Sequence, residues 1–198
     1  MSGYEYDVFI SYPRRGNAQN WLLNHFYPRL VECLVDETVP APKIFIDKEM
    51  PRGVHWPAQL EKALRHSKIM LAVLSAPYFT SKWCMAEWGN MQAREEVLGL
   101  ASPQRPQGLI YPVRYSDSNS FEEEGRQRSW WDFKGLDNPD KVFQESRDWI
   151  PFHQRVRQCA QDLAELLKQV PPWRPDWPVV ERPDPVLPPP PPLPRFDS

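Results

Sequence analysis

The sequence predicts a doubly wound α/β domain, in which helices cover both faces of a mostly parallel sheet. Two observations lead to this fold class. Short apolar runs typical of buried strands alternate with segments whose apolar residues recur at helical spacing. One of the runs, residues 68–74, is apolar almost throughout, as expected of a strand that is covered on both faces of a parallel sheet. Strand and helix repeat in this way four or five times before residue 170.

The first predicted strand is the apolar run at residues 8–10, and a helix is predicted over residues 19–35. Apolar side chains recur at every fourth position of this helix: Leu22, Phe26, Leu30 and Leu34. Pro28 interrupts the pattern, so we expect a kink or two shorter helices.

The second strand is predicted at residues 43–47 and the third at residues 68–74. Between them, a helix is expected to open at Trp56 with Pro57 in its first turn, where the missing N–H costs little. Residues 75–81 are predicted to form a connector, because Pro77 prevents the strand from continuing. Helical spacing then resumes at Lys82.

The second half of the chain is predicted to contain two more strands and a last helix. The fourth strand covers residues 108–113, and Pro112 places it near a sheet edge or at the end of the strand. A mobile polar loop is expected at residues 116–129, followed by a short fifth strand at residues 131–133. Apolar residues at helical spacing predict the last helix over residues 156–170.

The domain is therefore expected to span residues 1–170, and a proline-rich tail follows at residues 171–198. The tail contains an unbroken proline run, residues 188–192, which neither a helix nor a sheet can accommodate. A disordered tail, a polyproline II tail and a tail packed on the domain surface all stay open. Deletion of the residues after Val170 is expected to leave folding intact. The tryptophans of the last third of the chain are expected to pack over the sheet edge: Trp130, Trp131, Trp149, Trp173 and Trp177.

Composition excludes several classes of protein. The net charge of -2 gives no bulk attraction to nucleic acid or to an anionic membrane. No apolar run approaches the roughly 18 residues that a membrane span requires. The N-terminus does not resemble a secretory signal, and three widely spaced cysteines argue against a disulfide framework, so a cytoplasmic location is expected. The four histidines show no metal-binding spacing, and no metal site is predicted.

Ligands of open α/β sheets bind beyond the carboxyl ends of the strands. Polar side chains follow each of the first three predicted strands, at widely separated places in the sequence: Ser11, Tyr12, Arg14 and Arg15, then Asp47, Lys48 and Glu49, then Ser75 and Tyr78. Trp83 and Glu87 lie four residues apart, so they share one face of the helix after the third strand. These groups are expected to meet at one rim of the sheet.

The residue types at this rim suit a cationic ring and phosphate groups. An aromatic plane beside a carboxylate can hold a flat cationic ring and place negative charge near a reacting carbon. Arginine side chains make forked hydrogen bonds to phosphate oxygens, which Arg14 or Arg15 could provide. A packing tryptophan and a solvated glutamate are the plainer interpretation of the pair Trp83 and Glu87. The sequence contains no GxGxxG and no GxxxxGK[ST] motif, so neither a Rossmann cofactor site nor a nucleotide P-loop is predicted.

Three motifs in order resemble those of Toll/interleukin-1 receptor (TIR) domains. Residues 6–12, YDVFISY, are similar to the first box of the family. Residues 44–47, IFID, followed by a glycine-containing loop, are similar to its second strand and BB loop. Residues 75–87, SAPYFTSKWCMAE, are similar to the segment that leads into the family's WCxxE helix. The resemblance runs from about residue 4 to residue 97 and implies a flavodoxin-like fold with a five-stranded parallel sheet.

The resemblance also implies an activity, because many members of the family cleave NAD+ between nicotinamide and ribose. The glutamate of the WCxxE motif, here Glu87, is then the catalytic residue. The resemblance further implies that NAD+ is a substrate and not a retained cofactor. Substrate-binding roles are expected for nine residues around it: Phe9, Ser11, Tyr12, Arg14, Arg15, Asp47, Glu49, Ser75 and Trp83.

The sequence leaves two functions open. The first is an NAD+ glycohydrolase or ADP-ribosyl cyclase of the bacterial type, acting in antiphage immunity or cell death and assembling with its own copies through the BB loop, residues 48–55. The second is a non-catalytic scaffold that signals through contacts between TIR domains. A cognate sensor or effector protein is an expected partner in either case, whereas a membrane or nucleic acid is not.

Overall fold

The structure is a computed structural model that describes residues 3–47, 56–116 and 128–179. Within these residues, five parallel strands form one sheet in the order β2-β1-β3-β4-β5. The strands are β1 (Tyr6–Ser11), β2 (Ile44–Phe45), β3 (Ser67–Leu74), β4 (Ile110–Arg114) and β5 (Trp131–Asp132). This is the flavodoxin-like strand order, so the predicted fold class is confirmed.

Helices cover both faces of the sheet. They are α1 (Ala18–Trp21), α2 (Tyr27–Glu37), α3 (Trp56–Arg65), α4 (Ala76–Thr80), α5 (Lys82–Leu98) and α6 (Trp149–Lys168). Successive residues of β1 point to opposite faces. Val8 and Ile10 therefore lie in one apolar core with α1, α2 and α6, whereas Phe9 lies in a second core with α3, α4 and α5.

The predicted interruption at Pro28 takes the form of a π-helical turn, Leu22–Phe26, between α1 and α2. Pro28 has no N–H to donate to the carbonyl of Asn24, and its ring would clash with that carbonyl in a regular helix. In the wider turn the N–H of Tyr27 donates to the carbonyl of Leu22, five residues earlier. The carbonyl oxygen of Asn24 accepts a hydrogen bond from Nε2 of Gln144 at 3.4 Å instead.

The prediction that residues 75–81 form a plain connector is wrong, because residues 76–80 form the helix α4. Pro77 does end the strand, but it lies in the first turn of α4, where a missing N–H is tolerated. The turn carries Tyr78 back over the sheet, and its side chain is fully buried. This helix is what brings the Tyr78 hydroxyl to the strand ends.

The fourth strand lies next to the edge of the sheet, as Pro112 predicted. The N–H of Phe133 donates to the carbonyl of Arg114, so the even-numbered residues of β4 direct their backbone groups toward β5. Proline has no N–H to donate, and none is required of Pro112 on that side. The first residue of β5, Trp131, lies opposite Val113, so Pro112 has no strand partner there. The last helix begins at Trp149, seven residues before its predicted start, and most of the loop predicted at residues 116–129 lies outside the described residues.

Residues 171–179 pack on the domain and form what we call the strap. Trp177 is 3% exposed, and the guanidinium of Arg94 lies 5.5 Å from its ring. The ring of Trp173 stacks on His66 at 5.1 Å, and its Nε1 donates to the carbonyl of Arg65 at 3.2 Å. The strap is therefore part of the folded domain, whereas residues 180–198, with the proline run, lie outside the described residues.

These contacts reverse the expectation for truncation after Val170. Removing a buried tryptophan typically costs roughly 3 kcal/mol or more, so loss of the strap should lower the melting temperature. Thermal unfolding of the full chain, of a chain ending at Val170 and of a chain ending at Val179 would measure this. The chain ending at Val179 keeps the strap and should melt well above the shorter one. Equal melting temperatures for the two truncations would show that the strap contributes no stability.

Candidate active site

Several of the polar residues that follow the first three strands meet at one rim of the sheet. The sheet order places β2 and β3 on opposite sides of β1, so the chain reverses its winding direction between β1 and β3. In folds of this order, ligands bind at that switch point, beyond the carboxyl ends of the strands. Ser11 ends β1, Asp47 lies two residues after β2, and Tyr78 and Glu87 follow β3.

Glu87 lies in the second turn of α5, a helix that begins after Ser81. The hydroxyl of Ser81 accepts a hydrogen bond from the N–H of Cys84 at 3.3 Å and so caps the helix. The side chain of Glu87 is 9% exposed, and its Oε2 accepts a hydrogen bond of 2.5 Å from the Ser11 hydroxyl. Burial raises the pKa of the Glu87 carboxyl to about 8, although the bond from Ser11 acts in the opposite direction.

The hydroxyl of Ser11 is shared by three neighbours. Besides Glu87, it lies 2.9 Å from the hydroxyl of Tyr78. The thiol of Cys84 also lies beside it, and burial raises the pKa of that thiol far above its usual range. Ser11 is 1% exposed, so its hydroxyl makes its hydrogen bonds to protein groups and is shielded from solvent. Tyr78 was expected at this rim because it follows the third strand, but no substrate-binding or catalytic role was predicted for it.

A second group lies beside Glu87 at the end of β2. Arg14 makes a forked ion pair with Asp47, in which Nε lies 3.0 Å from Oδ2 and Nη2 also donates to that oxygen. The hydroxyl of Tyr12 donates to the other oxygen of Asp47. Asp47 therefore holds the arginine at the mouth of the site, where half of the Arg14 side chain (53%) is exposed. Asp47 raises the pKa of Glu87 and Arg14 lowers it, so the pair lies within electrostatic reach of the carboxyl.

The other predicted site residues occupy different surroundings. Phe9 lies in the apolar core, 1% exposed and stacked on Phe45 at 5.2 Å. Ser75 is buried at the end of β3, and its hydroxyl has no hydrogen-bond partner among the described residues. Trp83 is partly buried one turn before Glu87, and Arg15 is exposed. Glu49 and the predicted BB loop, residues 48–55, lie outside the described residues.

Metal clusters and membrane spans are both absent from residues 3–47, 56–116 and 128–179. No group of three or more His, Cys, Asp or Glu side chains is placed to hold a metal ion there. None of the helices in those ranges combines the length and the hydrophobicity of a membrane span.

The rim combines a buried carboxyl with a cation at its mouth. An ionised Glu87 would place negative charge in a poorly solvated position, where its effect on a developing positive charge is large. The guanidinium of Arg14 would attract an anionic group, such as a phosphate, to the exposed side. A ligand that carries a cationic centre and phosphate groups matches both features.

The chain is similar to several known proteins. The family model of the TIR domain matches residues 8–147. Disease resistance-like protein DSC2 of Arabidopsis thaliana is 30% identical over 143 residues, which cover 64% of this chain and 11% of that protein. TMV resistance protein N of Nicotiana glutinosa is 34% identical over 87 residues, which cover 43% of this chain and 7% of that protein. The TIR domain of the Toll-related receptor TRR-2 from Hydra magnipapillata has 17% identity and a TM-score of 0.47, over 77% of this chain and 98% of that structure.

The chain spans about a tenth or less of the length of the curated relatives it matches. These relatives are plant proteins, so the bacterial type expected from the sequence stays a prediction. The family model covers most of the chain and includes both ends of the Ser11–Glu87 contact. With its strand order and its WCxxE helix, this chain belongs to the TIR domain family.

Proposed function

We propose that this chain cleaves NAD+ at the bond between nicotinamide and ribose, with Glu87 as the catalytic residue. The observation that carries the proposal is the buried Glu87 carboxyl, held by Ser11 at the switch point of the sheet beside the Arg14–Asp47 pair. NAD+ has a cationic ring and a pyrophosphate, the two features that such a rim would recognise. It is a substrate in this proposal, and no cofactor is required.

The proposed reaction breaks the bond between C1′ of the ribose and the nitrogen of nicotinamide. The bonding electron pair leaves with the nitrogen, so nicotinamide departs as a neutral ring that needs little acid assistance. Positive charge develops at C1′ and on the ribose ring oxygen, where the carboxylate of Glu87 stabilises it, much as glycosidase carboxylates do. Water then adds its oxygen to C1′ and releases a proton, which gives ADP-ribose; attack by a nitrogen of the adenine instead gives a cyclic product.

Two neighbours of Glu87 are assigned binding roles in this reaction. The guanidinium of Arg14, positioned by Asp47, would bind the pyrophosphate at the mouth of the site. Trp83 lies four residues before Glu87 on α5, which puts an aromatic side chain on the same side of the helix as the carboxyl. Its ring would stack on the nicotinamide cation.

The proposed role of Glu87 makes a specific pH dependence an expected result. The carboxyl acts in its ionised form, and its pKa is raised to about 8 by burial, so kcat/KM should rise with pH and level off above about 8. A bound nicotinamide cation lowers the pKa of a nearby carboxyl, so the rise in kcat should occur at lower pH. Initial rates measured between pH 5.5 and 9.5 would test the expected pH dependence of kcat/KM and of kcat. A kcat/KM that falls through this range as pH rises would contradict an ionised Glu87.

The proposed activity is tested by following NAD+ loss and product formation with the purified full chain, at several protein concentrations. Chromatography of the products distinguishes ADP-ribose from a cyclic product. Turnover that increases steeply with protein concentration would support the expectation that self-association, through residues 48–55, completes the site. Absence of turnover in every assembled state would overturn the proposal and favour a scaffold that acts only through contacts between TIR domains.

We also propose that this activity functions in immunity or cell death. Curated relatives of the chain are named for disease resistance, and the bacterial, antiphage version of that setting rests on the family resemblance alone. Expression in a host cell, with total NAD+ measured as growth stops, would test the setting. Growth arrest without loss of NAD+ would contradict it.

A further inference from the structure

We propose that Tyr78 is a positioning residue for Glu87, acting through the hydroxyl of Ser11. This inference rests on the proposed function for its catalytic consequence, but its structural part can be tested without any substrate. The three groups come from α4, β1 and α5, and they form a continuous chain of hydrogen bonds: Tyr78 to Ser11 at 2.9 Å and Ser11 to Glu87 at 2.5 Å.

When Glu87 is ionised, the number of hydroxyl protons determines which group donates in each of these two hydrogen bonds. A serine hydroxyl has one proton to donate, and Ser11 uses it for Oε2 of Glu87. The contact between Ser11 and Tyr78 must then be donated by the phenol. Donation to the Ser11 oxygen polarises its O–H bond and strengthens the bond to the carboxylate, because linked hydrogen bonds polarise one another.

The position of the phenol is determined by packing on both sides. Tyr78 is fully buried and makes edge contacts with the rings of Phe79 at 5.5 Å and Trp88 at 6.2 Å. Its N–H donates to the carbonyl of Ser75 at 3.0 Å, at the start of α4. A rigid donor of this kind can hold the Ser11 hydroxyl, and with it the Glu87 carboxyl, in one orientation. Reacting groups placed in advance in this way are a recognised source of rate enhancement.

The carboxyl of Glu87 has other ionisable neighbours, and each bears on a measurement of its titration. Asp47 raises the pKa of Glu87, and Arg14 lowers it. Tyr12, Tyr78 and Cys84 also interact electrostatically with Glu87, but burial raises the pKa of all three, so they stay neutral near pH 8. A change in the Glu87 titration between variants that keep Asp47 and Arg14 therefore reports the hydrogen-bond chain.

The test compares Tyr78→Phe and Ser11→Ala with the intact chain. The phenylalanine keeps the ring packing and removes only the phenol hydroxyl. In the absence of NAD+, the titration of the Glu87 carboxyl can be followed by carbon-detected NMR. It should occur at higher pH in both variants, because each variant weakens or removes the hydrogen bond from Ser11 that favours the ionised form. With NAD+, the ascending limb of kcat/KM should move to higher pH in Tyr78→Phe, and kcat should fall about tenfold with little change in KM.

A double variant decides whether Tyr78 acts through Ser11. If it does, Tyr78→Phe should add nothing further to the shift produced by Ser11→Ala, whereas independent effects would add. Tyr111→Phe is a matched control, because Tyr111 is another buried tyrosine, with a hydroxyl 2.9 Å from Asp162, and is outside the proposed site. It should leave both the titration and the pH profile unchanged.

The proposal is overturned if Tyr78→Phe lowers the melting temperature but leaves the titration of Glu87 where it was. A tyrosine that only fills the core would give that result. If the intact chain shows no NAD+ turnover at all, the proposed function fails, but the NMR titration still confirms or overturns the hydrogen-bond chain. Should Tyr78→Phe not fold, Ser11→Ala still tests the proposal, because Tyr78 acts on Glu87 only through the Ser11 hydroxyl: a Glu87 titration that stays where it is in the intact chain would overturn it.

Discussion

Replacement of Glu87 by glutamine is expected to lower NAD+ cleavage at least about a hundredfold, the usual effect of removing one preorganised charge that stabilises a transition state. Glutamine has nearly the same shape and can accept the hydrogen bond from Ser11, but it carries no negative charge toward C1′ of the ribose. Initial rates of nicotinamide release for the two proteins would measure the effect. Glu96→Gln is the matched control, because it removes an exposed carboxylate from the same helix. Equal rates for Glu87→Gln and the intact chain would sink the catalytic assignment.

The same variant is expected to be more stable than the intact chain at pH 8. The pKa of Glu87 is about 8 in the folded protein and near its ordinary value of 4.5 in the unfolded chain. The stability that this carboxyl contributes is therefore fully present below about pH 4.5 and is lost as the pH rises to about 8. Glutamine does not ionise and avoids that loss. Thermal unfolding at pH 5 and pH 8 should show an advantage for Glu87→Gln that increases with pH, which would also exclude misfolding as the cause of lost activity.

Replacement of Glu95 by alanine is expected to have the largest effect on stability, roughly 3 to 5 kcal/mol of the free energy of unfolding. The Glu95 carboxylate is 2% exposed and lies between α5 and the start of β4. It accepts hydrogen bonds from the backbone N–H groups of Leu109 at 2.5 Å and Ile110 at 3.0 Å. It also forms a forked ion pair with Arg128. Alanine would leave these buried donors and a guanidinium without their acceptor.

Urea denaturation at pH 7 would measure this loss, and Glu96→Ala, one residue farther along α5 and exposed, is the matched control. Gly108→Ala offers an independent check. A Cβ at residue 108 would lie 2.6 Å from Oε1 of Glu95, so the carboxylate would have to leave its position. Both variants should be destabilised, and their effects should not add, since they disturb the same contacts. A Glu95→Ala protein as stable as Glu96→Ala would show that the ion pair and its hydrogen bonds contribute little.

Much of the fold could be predicted because its determinants are local. The apolar runs of β1 and β3 and the helical spacing around Glu87 are readable over a few residues, and proline marks interruptions wherever it occurs. The effect of Pro77 was misread, since the same residue that ends a strand can begin a helix, and only packing decides between the two. For a similar reason the sequence could not decide between a disordered tail, a polyproline II tail and a tail packed on the domain. Residues 171–179 are rich in proline, as a linker would be, and their order depends on contacts of Trp173 and Trp177 with distant residues.

For the candidate site too, the features that depend on nearby residues could be predicted, and those that depend on contacts between distant residues could not. The rim could be predicted because parallel strands end at the same edge, and the resemblance singled out Glu87. The sequence could not reveal that the carboxyl is almost enclosed, that Asp47 fixes Arg14, or that Tyr78 reaches Ser11. Each of these depends on how far one side chain is from another in the folded chain. Phe9, for which the first box implies a substrate-binding role, lies in the apolar core against Phe45, and that role stays a prediction.

The contact between Ser11 and Glu87 joins residues that are 76 positions apart, and it spans a crossover from β1 past β2 to β3. Pairings between such distant segments of a chain form slowly, because the entropy of closing the intervening loop is lost before the contact stabilises anything. We therefore expect the Glu87 carboxyl to meet Ser11 late in folding, once β1 and β3 are paired. A nascent or partly unfolded chain would lack the assembled rim, so the proposed NAD+ cleavage would begin only in molecules in which this contact has formed.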